Sequence, residues 1–309
     1  MFARKIGKIF LAASLSLGLV ACSQQESKEE PKETIKEEVK VLAPAGAPSL
    51  ALLGAYNMDK VTIDTVEGAD VLTAELAKKD SDYDIIVAPT NLGAKLYEKA
   101  EAYQLASVLT WGNLYLVGSP DTDVNGANIA VFGENAVPGL VFRSLYDVDS
   151  MNATYYGSVQ EAQQALLTDQ SQVALLAQPA AAATIAKAKE KQKELTVLQD
   201  FQKLWQEKHN SESNGYPQAS LFIKKGEKKK VQHVLNGIKE YLKDVDEETV
   251  SKDIENIGAD KLGVPNAAIA SKTWKQQNIR FVSSKDAEKD IETFLELFNI
   301  SCSEGLFVK

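Results

Sequence analysis

The chain has 309 residues, with 43 acidic and 34 basic side chains and a net charge of −9. This balance argues against nucleic-acid binding, because phosphate backbones require clusters of Lys and Arg. Its two histidines and two cysteines are not spaced as zinc ligands, so we expect no metal site and no cofactor. The length is sufficient for two lobes, each with a substantial hydrophobic core.

The N-terminal segment begins with basic side chains and continues into an apolar stretch, residues 9–20, that is too short to span a bilayer. Small Ala21 and then Cys22 follow. This pattern resembles the signal of bacterial lipoproteins. The resemblance implies removal of residues 1–21, lipidation of Cys22, and an extracytoplasmic location in which acyl chains anchor the protein to the cell membrane. A buried helix that happens to contain Cys22 is the alternative interpretation.

The next segment, residues 23–40, consists mainly of Glu, Lys, Gln, Ser and Thr. Such a composition cannot bury enough apolar surface to fold. With Cys22 it is predicted to form a disordered tether over residues 22–40, and the folded part is predicted to begin near residue 41.

From that point, short β-like runs alternate with amphipathic helical stretches, which predicts an α/β protein. The C-terminal part is richer in helical periodicity and is expected to return to the first lobe. Predicted strands lie at residues 39–44, 61–66, 83–88, 104–110, 113–119, 128–132, 152–156, 173–177, 195–198, 218–223 and 279–282, and the C-terminal helices at 227–244, 247–262 and 286–298.

Four of the predicted strands end in a turn that contains Pro and begins a helix, at residues 43–49, 88–91, 133–138 and 177–179. In open α/β sheets, ligands bind beyond the carboxyl ends of strands, where helix N-termini offer unpaired N–H groups. The four turns therefore predict the walls of a ligand cleft. The alternative is that they are ordinary turns before helices.

Three stretches carry a family resemblance: residues 43–49 (APAGAPS), 83–91 (YDIIVAPTN) and 215–221 (GYPQASL). They resemble the substrate-binding lipoproteins of ABC importers with the type II periplasmic-binding fold, particularly the branch that binds nitrate, taurine, alkanesulfonates and thiamine pyrimidines. The resemblance covers most of residues 41–300. It implies two lobes, each a mostly parallel sheet flanked by helices. Residues 41–118 and 218–309 would form lobe 1 and residues 119–217 lobe 2, with crossings near 119–126 and 210–217.

The resemblance also assigns ligand-binding positions to both lobes. Polar side chains would hydrogen-bond a ligand, and aromatic rings would stack on it. Core packing remains an alternative for Trp111 and Tyr156, and a helix-start role for Glu134. The predicted ligand-binding residues are Ala45, Gly46, Ala47, Ser49, Thr90, Asn91 and Trp111 in lobe 1, and Glu134, Asn135, Ala136, Val137, Tyr156 (or Tyr155) and Gln178 in lobe 2.

Beyond the predicted signal, the chain has two arginines, Arg143 and Arg280, and neither lies in a predicted cleft turn. A neutral or donor-rich heterocycle, such as a vitamin precursor, is therefore favoured over a nitrate-like or sulfonate-like anion. The lysine-rich run at residues 224–230 is interpreted as a solvated helix start. Cys302 is interpreted as a partly buried small residue.

These features predict a monomeric, non-enzymatic receptor outside the cytoplasm that captures a small organic solute and delivers it to an ABC import permease. An enzyme on the same fold is one alternative, with Glu134 and Asp84 as its only candidate acid and base. The scarcity of histidine and the absence of a Ser-His-Asp set argue against it. A solute-sensing domain for a membrane partner is the other alternative.

Overall fold

The computed structural model describes residues 37–309. The predicted signal peptide, the predicted lipidation at Cys22 and most of the predicted tether lie outside these residues. The tether was predicted to extend to residue 40, but the first strand begins at Val39. Val39 is fully buried and donates its backbone N–H to the carbonyl of Lys60. The end of the tether is therefore corrected to precede Val39.

Every predicted strand is confirmed to within two residues. The observed strands are β1 (Val39–Pro44), β2 (Val61–Val66), β3 (Ile85–Pro89), β4 (Tyr103–Thr110), β5 (Leu114–Gly118), β6 (Asn128–Phe132), β7 (Asn152–Tyr156), β8 (Val173–Ala177), β9 (Thr196–Asp200), β10 (Ala219–Lys224) and β11 (Ile279–Ser283).

Helices fill most of the intervals between strands, and five of them follow β10. The helices are α1 (Ala47–Leu50), α2 (Leu53–Tyr56), α3 (Asp70–Leu76), α4 (Thr90–Ala100), α5 (Val137–Leu145), α6 (Val159–Leu167), α7 (Ala180–Glu190), α8 (Phe201–His209), α9 (Lys228–Asp244), α10 (Glu247–Ile257), α11 (Ala259–Leu262), α12 (Ala267–Lys272) and α13 (Glu288–Glu296). Within residues 37–309, none has the length and apolar character needed to cross a membrane.

Six strands form the first sheet, in the order β11-β4-β10-β3-β1-β2. β1 is parallel to β2 and β3, and β10 is antiparallel to both β3 and β4, so β1 to β4 all run the same way. Their carboxyl ends form one edge, which we call the carboxyl edge of this sheet. Helices cover both faces, and the central strand β3 is accordingly a continuous apolar run that is buried on both sides.

Five strands form the second sheet, in the order β7-β6-β8-β5-β9. β6 is parallel to β7 and β8, whereas β5 is antiparallel to β8 and β9. The carboxyl ends of β6, β7, β8 and β9 form the carboxyl edge of the second sheet. The two mixed sheets with flanking helices confirm the predicted α/β fold class.

The structure corrects the predicted boundary between the lobes. β5 was assigned to lobe 1, but it pairs with β8 and β9 in the second sheet. The chain therefore crosses between the sheets at residues 111–113, the first crossover, and not at 119–126. The cause of the error is physical: β4 and β5 are both buried and apolar, and only Trp-Gly-Asn separates them, so no linker composition marks the crossing.

The chain returns to the first sheet through residues 210–218, the second crossover, between α8 and β10. Aromatic side chains bind the two lobes together behind this point. Trp205 of α8 lies with its ring 5.0 Å from that of Tyr216 and 5.8 Å from that of Phe294 on α13. The five C-terminal helices pack on elements of the first sheet, mainly through α9 on β10 and β11, α10 on α2 and α13 on α4.

Candidate ligand-binding site

The first crossover connects the two carboxyl edges directly. This short segment starts at the carboxyl end of β4 and ends at Leu114, the first residue of β5, which is paired with Ala177 at the carboxyl end of β8. Three residues thus join one carboxyl edge to the other. The turns that follow β1 and β3 lie at one edge and those that follow β6 and β8 at the other; we call the region between the two edges the groove, and it is the candidate site.

The helices that begin at these turns lack side-chain caps. α1, α4, α5 and α7 each begin without a hydrogen bond from the side chain of the N-cap residue. By contrast, the helices after the edge strands β7 and β9 are capped: Ser158 accepts from the N–H of Glu161, and Asp200 accepts from the N–H groups of Gln202 and Lys203. The starts of α4 and α5 therefore present a positive dipole end without a side-chain cap, whereas Gln178 Oε1 accepts from the N–H of Ala182 at the start of α7.

Several buried polar atoms at the carboxyl edge of the first sheet have no hydrogen-bond partner among residues 37–309. They are Asn91 Oδ1 after β3, Gln218 Oε1 before β10, and Thr110 Oγ1 and Trp111 Nε1 at the end of β4. Because β3, β10 and β4 are neighbouring strands, the backbone positions that carry these groups lie within about 10 Å of one another along the edge. Leaving such a group unsatisfied costs about 1–3 kcal/mol, and a polar ligand would recover that free energy.

The second sheet contributes a pocket of about 430 Å³ beyond the ends of β6 and β7. Glu134, Asn135 and Ala136 line it as exposed residues at the start of α5. Tyr155 and Tyr156, which the sequence offered as alternative ligand-binding residues, both line this pocket. Among the described residues, the buried hydroxyl of Tyr155 has no hydrogen-bond partner.

Three of the predicted ligand-binding side chains are engaged inside the protein. The hydroxyl of fully buried Ser49 lies 3.0 Å from Tyr56 Oη, and that of Thr90 lies 2.7 Å from Ser220 Oγ. Trp111 is 1% exposed, so its ring packs in the core and does not stack on a ligand. These three side chains therefore pack beneath the surface of the groove, and among them only the indole N–H of Trp111 has no partner within residues 37–309.

The first turn is held by backbone bonds. Ala45 donates its N–H to the carbonyl of Val66, and Gly46 donates to that of Leu262 at 2.8 Å. Ala47 is buried behind the turn, as Val137 is buried behind the turn that begins α5. The turn therefore offers a ligand mainly its fixed backbone shape.

An amide network that the sequence did not predict joins the two carboxyl edges. Asn113 of the first crossover donates Nδ2 to the carbonyl of Gln178 at 3.0 Å, and its own carbonyl accepts from the N–H of Gln178 at 2.9 Å. Gln218 Nε2 donates to Asn113 Oδ1 at 3.1 Å. Gln178 also accepts a bond from the N–H of Ala182 at the start of α7. Gln178 thus acts in the inter-lobe network.

Both arginines lie beside the groove residues, although neither is in a cleft turn. The guanidinium carbon of Arg280 lies 4.2 Å from the ring centre of Trp111, and that of Arg143 lies 5.7 Å from the ring centre of Tyr155. Burial lowers the pKa of Arg280 to about 10, which still leaves it charged at neutral pH. Arg143 therefore lies beside a residue that lines the pocket of the second sheet, so the absence of arginine from the cleft turns does not exclude an anionic solute.

The carboxylates nominated for an enzyme do not meet. Asp84 precedes β3 at the amino end of the first sheet, where it accepts bonds from the N–H of Lys40 and from Lys230 Nζ at 2.7 Å. Glu134 is exposed at the carboxyl edge of the second sheet. The two groups cannot act on one substrate. No cluster of three or more metal-ligating side chains occurs in the part of the chain described.

A larger pocket of about 690 Å³ lies at the amino ends of β1 and β2, far from the groove. Several of its polar side chains are already paired with one another. Glu75 accepts bonds from Lys78 and Ser81, and Asp64 accepts one from Tyr83. We therefore assign the site to the groove.

The lysine-rich run leads into the start of α9, as predicted, but most of its side chains have partners within the protein and are not simply solvated. Lys224 donates to the carbonyl of Ser81, Lys225 pairs with Glu101, and Lys230 pairs with Asp84. A patch whose charges are neutralised in this way is poorly suited to bind an external anion.

Cys302 is half-buried, and burial together with nearby glutamates raises the pKa of its thiol to about 11. Because the thiolate is the reacting form, we expect iodoacetamide to label Cys302 at pH 8 roughly a hundredfold more slowly than a free thiol with a pKa of about 8.5. The rate should rise steeply towards pH 11. Mass spectrometry of the C-terminal peptide measures this rate, and fast labelling at pH 8 would contradict the buried placement.

Solved structures of transport proteins share this fold. An ABC transporter protein from Parabacteroides distasonis matches with a TM-score of 0.71 at 20% identity, over 88% of this chain and 99% of that one. The ligand-binding component of an ABC-type import system from Staphylococcus aureus matches with a TM-score of 0.61 at 12% identity, over 88% and 96%. The periplasmic aliphatic sulphonate binding protein of Escherichia coli matches with a TM-score of 0.60 at 13% identity, over 85% and 87%.

No protein-family model and no curated protein sequence matches the chain. At identities of 20% and below, the structural similarity establishes the architecture: two mixed sheets with flanking helices, joined by two crossovers. The chain therefore has the two-lobed type II periplasmic-binding fold of ABC-transporter substrate-binding proteins, as its sequence resemblance predicted.

Proposed function

We propose that the protein is the solute-binding component of an ABC import system and that it holds a small organic solute between its two carboxyl edges. The observation that carries this proposal is the row of buried, unpaired polar atoms at the edge of the first sheet, beside the uncapped start of α4. Unpaired buried polar groups lower the stability of a protein that binds nothing, whereas in a binding protein they can recognise the ligand.

The mechanism follows from the two crossovers. A solute that contacts both edges stabilises the arrangement in which they are close, and so shifts an ensemble of open and closed forms towards the closed one. A membrane permease that recognises the closed form would then receive the solute. We propose that lipid on Cys22 keeps the monomeric protein outside the cytoplasmic membrane, near this permease.

The groups along the groove define the class of solute. The carbonyl oxygens of Asn91 and Gln218 need hydrogen-bond donors, whereas the indole N–H of Trp111 needs an acceptor. The start of α5 and Arg143, whose guanidinium lies over the ring of Tyr155, accommodate negative charge. A compact solute with both N–H or O–H donors and an acidic group fits this set, and one structural neighbour binds aliphatic sulphonates.

Thermal unfolding of the full-length protein tests the proposal. The panel contains vitamins and their precursors, amino-acid derivatives and sulfonates. A true ligand at about one hundred times its dissociation constant should add about 2.7 kcal/mol to the free energy of unfolding, an easily measured rise in midpoint. Asn91→Ala removes a hydrogen bond to the solute and should weaken binding about tenfold.

Asn236→Ala is the matched control, because Asn236 is an exposed asparagine on α9, away from the groove. It should bind the solute as the unchanged protein does. If no solute in the panel stabilises the folded protein, the proposed solute class is wrong. If Asn91→Ala binds as tightly as the control, the proposed location is wrong.

A further inference from the structure

The turn before β11 contacts both crossovers. Asn278, at the end of a short 3-10 helix, donates Nδ2 to the carbonyl of Trp111 at 2.6 Å and to the carbonyl of Asn214 at 3.0 Å. Trp111 lies in the first crossover and Asn214 in the second. One side-chain amide therefore bridges the two segments that connect the lobes.

Arg280 reinforces the same bridge. Its Nη2 donates to the carbonyl of Asn214 at 3.1 Å, and its guanidinium packs on the ring of Trp111. Its Nη1 donates to Asn278 Oδ1, which orients the amide so that both N–H bonds of Asn278 point at the crossovers. The two side chains thus make two independent connections from the first sheet to each crossover.

Backbone bonds complete the junction. Trp111 donates its N–H to the carbonyl of Asn278 at 3.0 Å, and Tyr216 donates its N–H to the carbonyl of Trp111 at 3.2 Å. Farther along the second crossover, Ser211 and Ser213 are tied separately to Asp290 on α13. Removing the Asn278 side chain therefore leaves the second crossover attached to the first lobe, and reduces its connection to the first crossover to the backbone bond between Tyr216 and Trp111 and the contacts of Arg280.

We infer that Asn278 and Arg280 are positioning residues that fix the angle between the two lobes by holding the crossovers together. Any change in that angle must rotate both crossovers, and both are hydrogen-bonded to this turn. The consequence for solute selection rests on the proposed function, because the separation of the carboxyl edges decides which solutes can bridge them. The bridge itself is independent of that function and can be tested without a solute.

Asn278→Gly is the informative variant. Asn278 has a φ of 52°, which glycine adopts freely, so the substitution removes the side chain without straining the turn. In the full-length protein without added solute, we expect amide hydrogen exchange to accelerate about tenfold, equivalent to about 1.4 kcal/mol. The acceleration should occur together in peptides that contain Trp111 and Tyr216. Small-angle X-ray scattering should show a changed separation of the lobes.

Asn299→Gly is the control, since Asn299 also has a positive φ, 54°, but is exposed and makes no side-chain hydrogen bond within residues 37–309. This variant should leave the exchange rates of both peptides and the scattering curve unchanged. Arg280→Lys keeps the charge but not the planar fork, and should accelerate the same two peptides less. If Asn278→Gly unfolds the whole protein, the exchange rates of the two peptides in Arg280→Lys test whether the bridge holds the crossovers together.

Acceleration in only one crossover, or an equal effect from Asn299→Gly, would overturn the inference. So would an unchanged scattering curve. A protein that binds no solute in the thermal panel but shows the paired acceleration would retain the bridge and lose the proposed function, so the two failures are distinguishable.

Discussion

Replacing Gly215 by Ala is expected to lower the free energy of unfolding by about 4 kcal/mol, the combined effect of backbone strain and overpacking. Gly215 has a φ of 95° in the second crossover, and a Cβ added there would lie 1.8 Å from the carbonyl oxygen of Trp111. That oxygen accepts bonds from Tyr216 and Asn278, so it cannot retreat without breaking the junction of the crossovers.

Comparison with Gly226→Ala separates the effect of backbone strain at positive φ from that of the steric clash of the added Cβ. Gly226 has a φ of 90°, nearly that of Gly215, but no atom lies within 4 Å of the position of an added Cβ. This variant should lose only about 1 kcal/mol. Denaturant unfolding followed by circular dichroism measures both values. Equal losses in the two variants would show that the crossovers are not packed against each other.

Replacing Asn113 by Leu is expected to destabilise the protein by about 3 kcal/mol, because buried polar groups on both lobes lose their hydrogen-bond partner. Asn113 is 2% exposed, and its side chain satisfies the carbonyl of Gln178 and the amide of Gln218. Leu has a similar volume but can satisfy neither. The loss should be seen in the same denaturant titration.

Asn152→Leu provides the comparison, because Asn152 is exposed at the start of β7. That substitution should change the free energy of unfolding by no more than about 0.5 kcal/mol. A similar small change for Asn113→Leu would mean that the amide network does not hold the carboxyl edges together.

The strands could be predicted because they depend on local pattern. β3 and β10 are buried apolar runs, and turn residues mark their ends. β5 was placed in the wrong lobe because sheet membership depends on pairing partners that are distant in sequence. Nothing in residues 111–113 other than Gly112, with its φ of 83°, signals a change of sheet.

The helix starts beside the candidate site could be predicted for a similar reason. Four turns identified the helix starts along the groove, since Pro and small residues at strand ends have a local cause. Which polar groups are free depends on tertiary contacts: Ser49 meets Tyr56 and Thr90 meets Ser220 only in the folded protein. Arg280 is far along the chain from Trp111, so its position beside the crossover leaves no trace in the sequence pattern.

The most direct test of the binding site is hydrogen exchange of the full-length protein with and without a solute that stabilises it in the thermal panel. We expect slower exchange in two segments from different lobes, residues 89–96 at the start of α4 and residues 133–141 at the start of α5. Protection of both would place the solute between the carboxyl edges. Protection confined to one lobe, or to residues 75–83 beside the larger pocket, would contradict it.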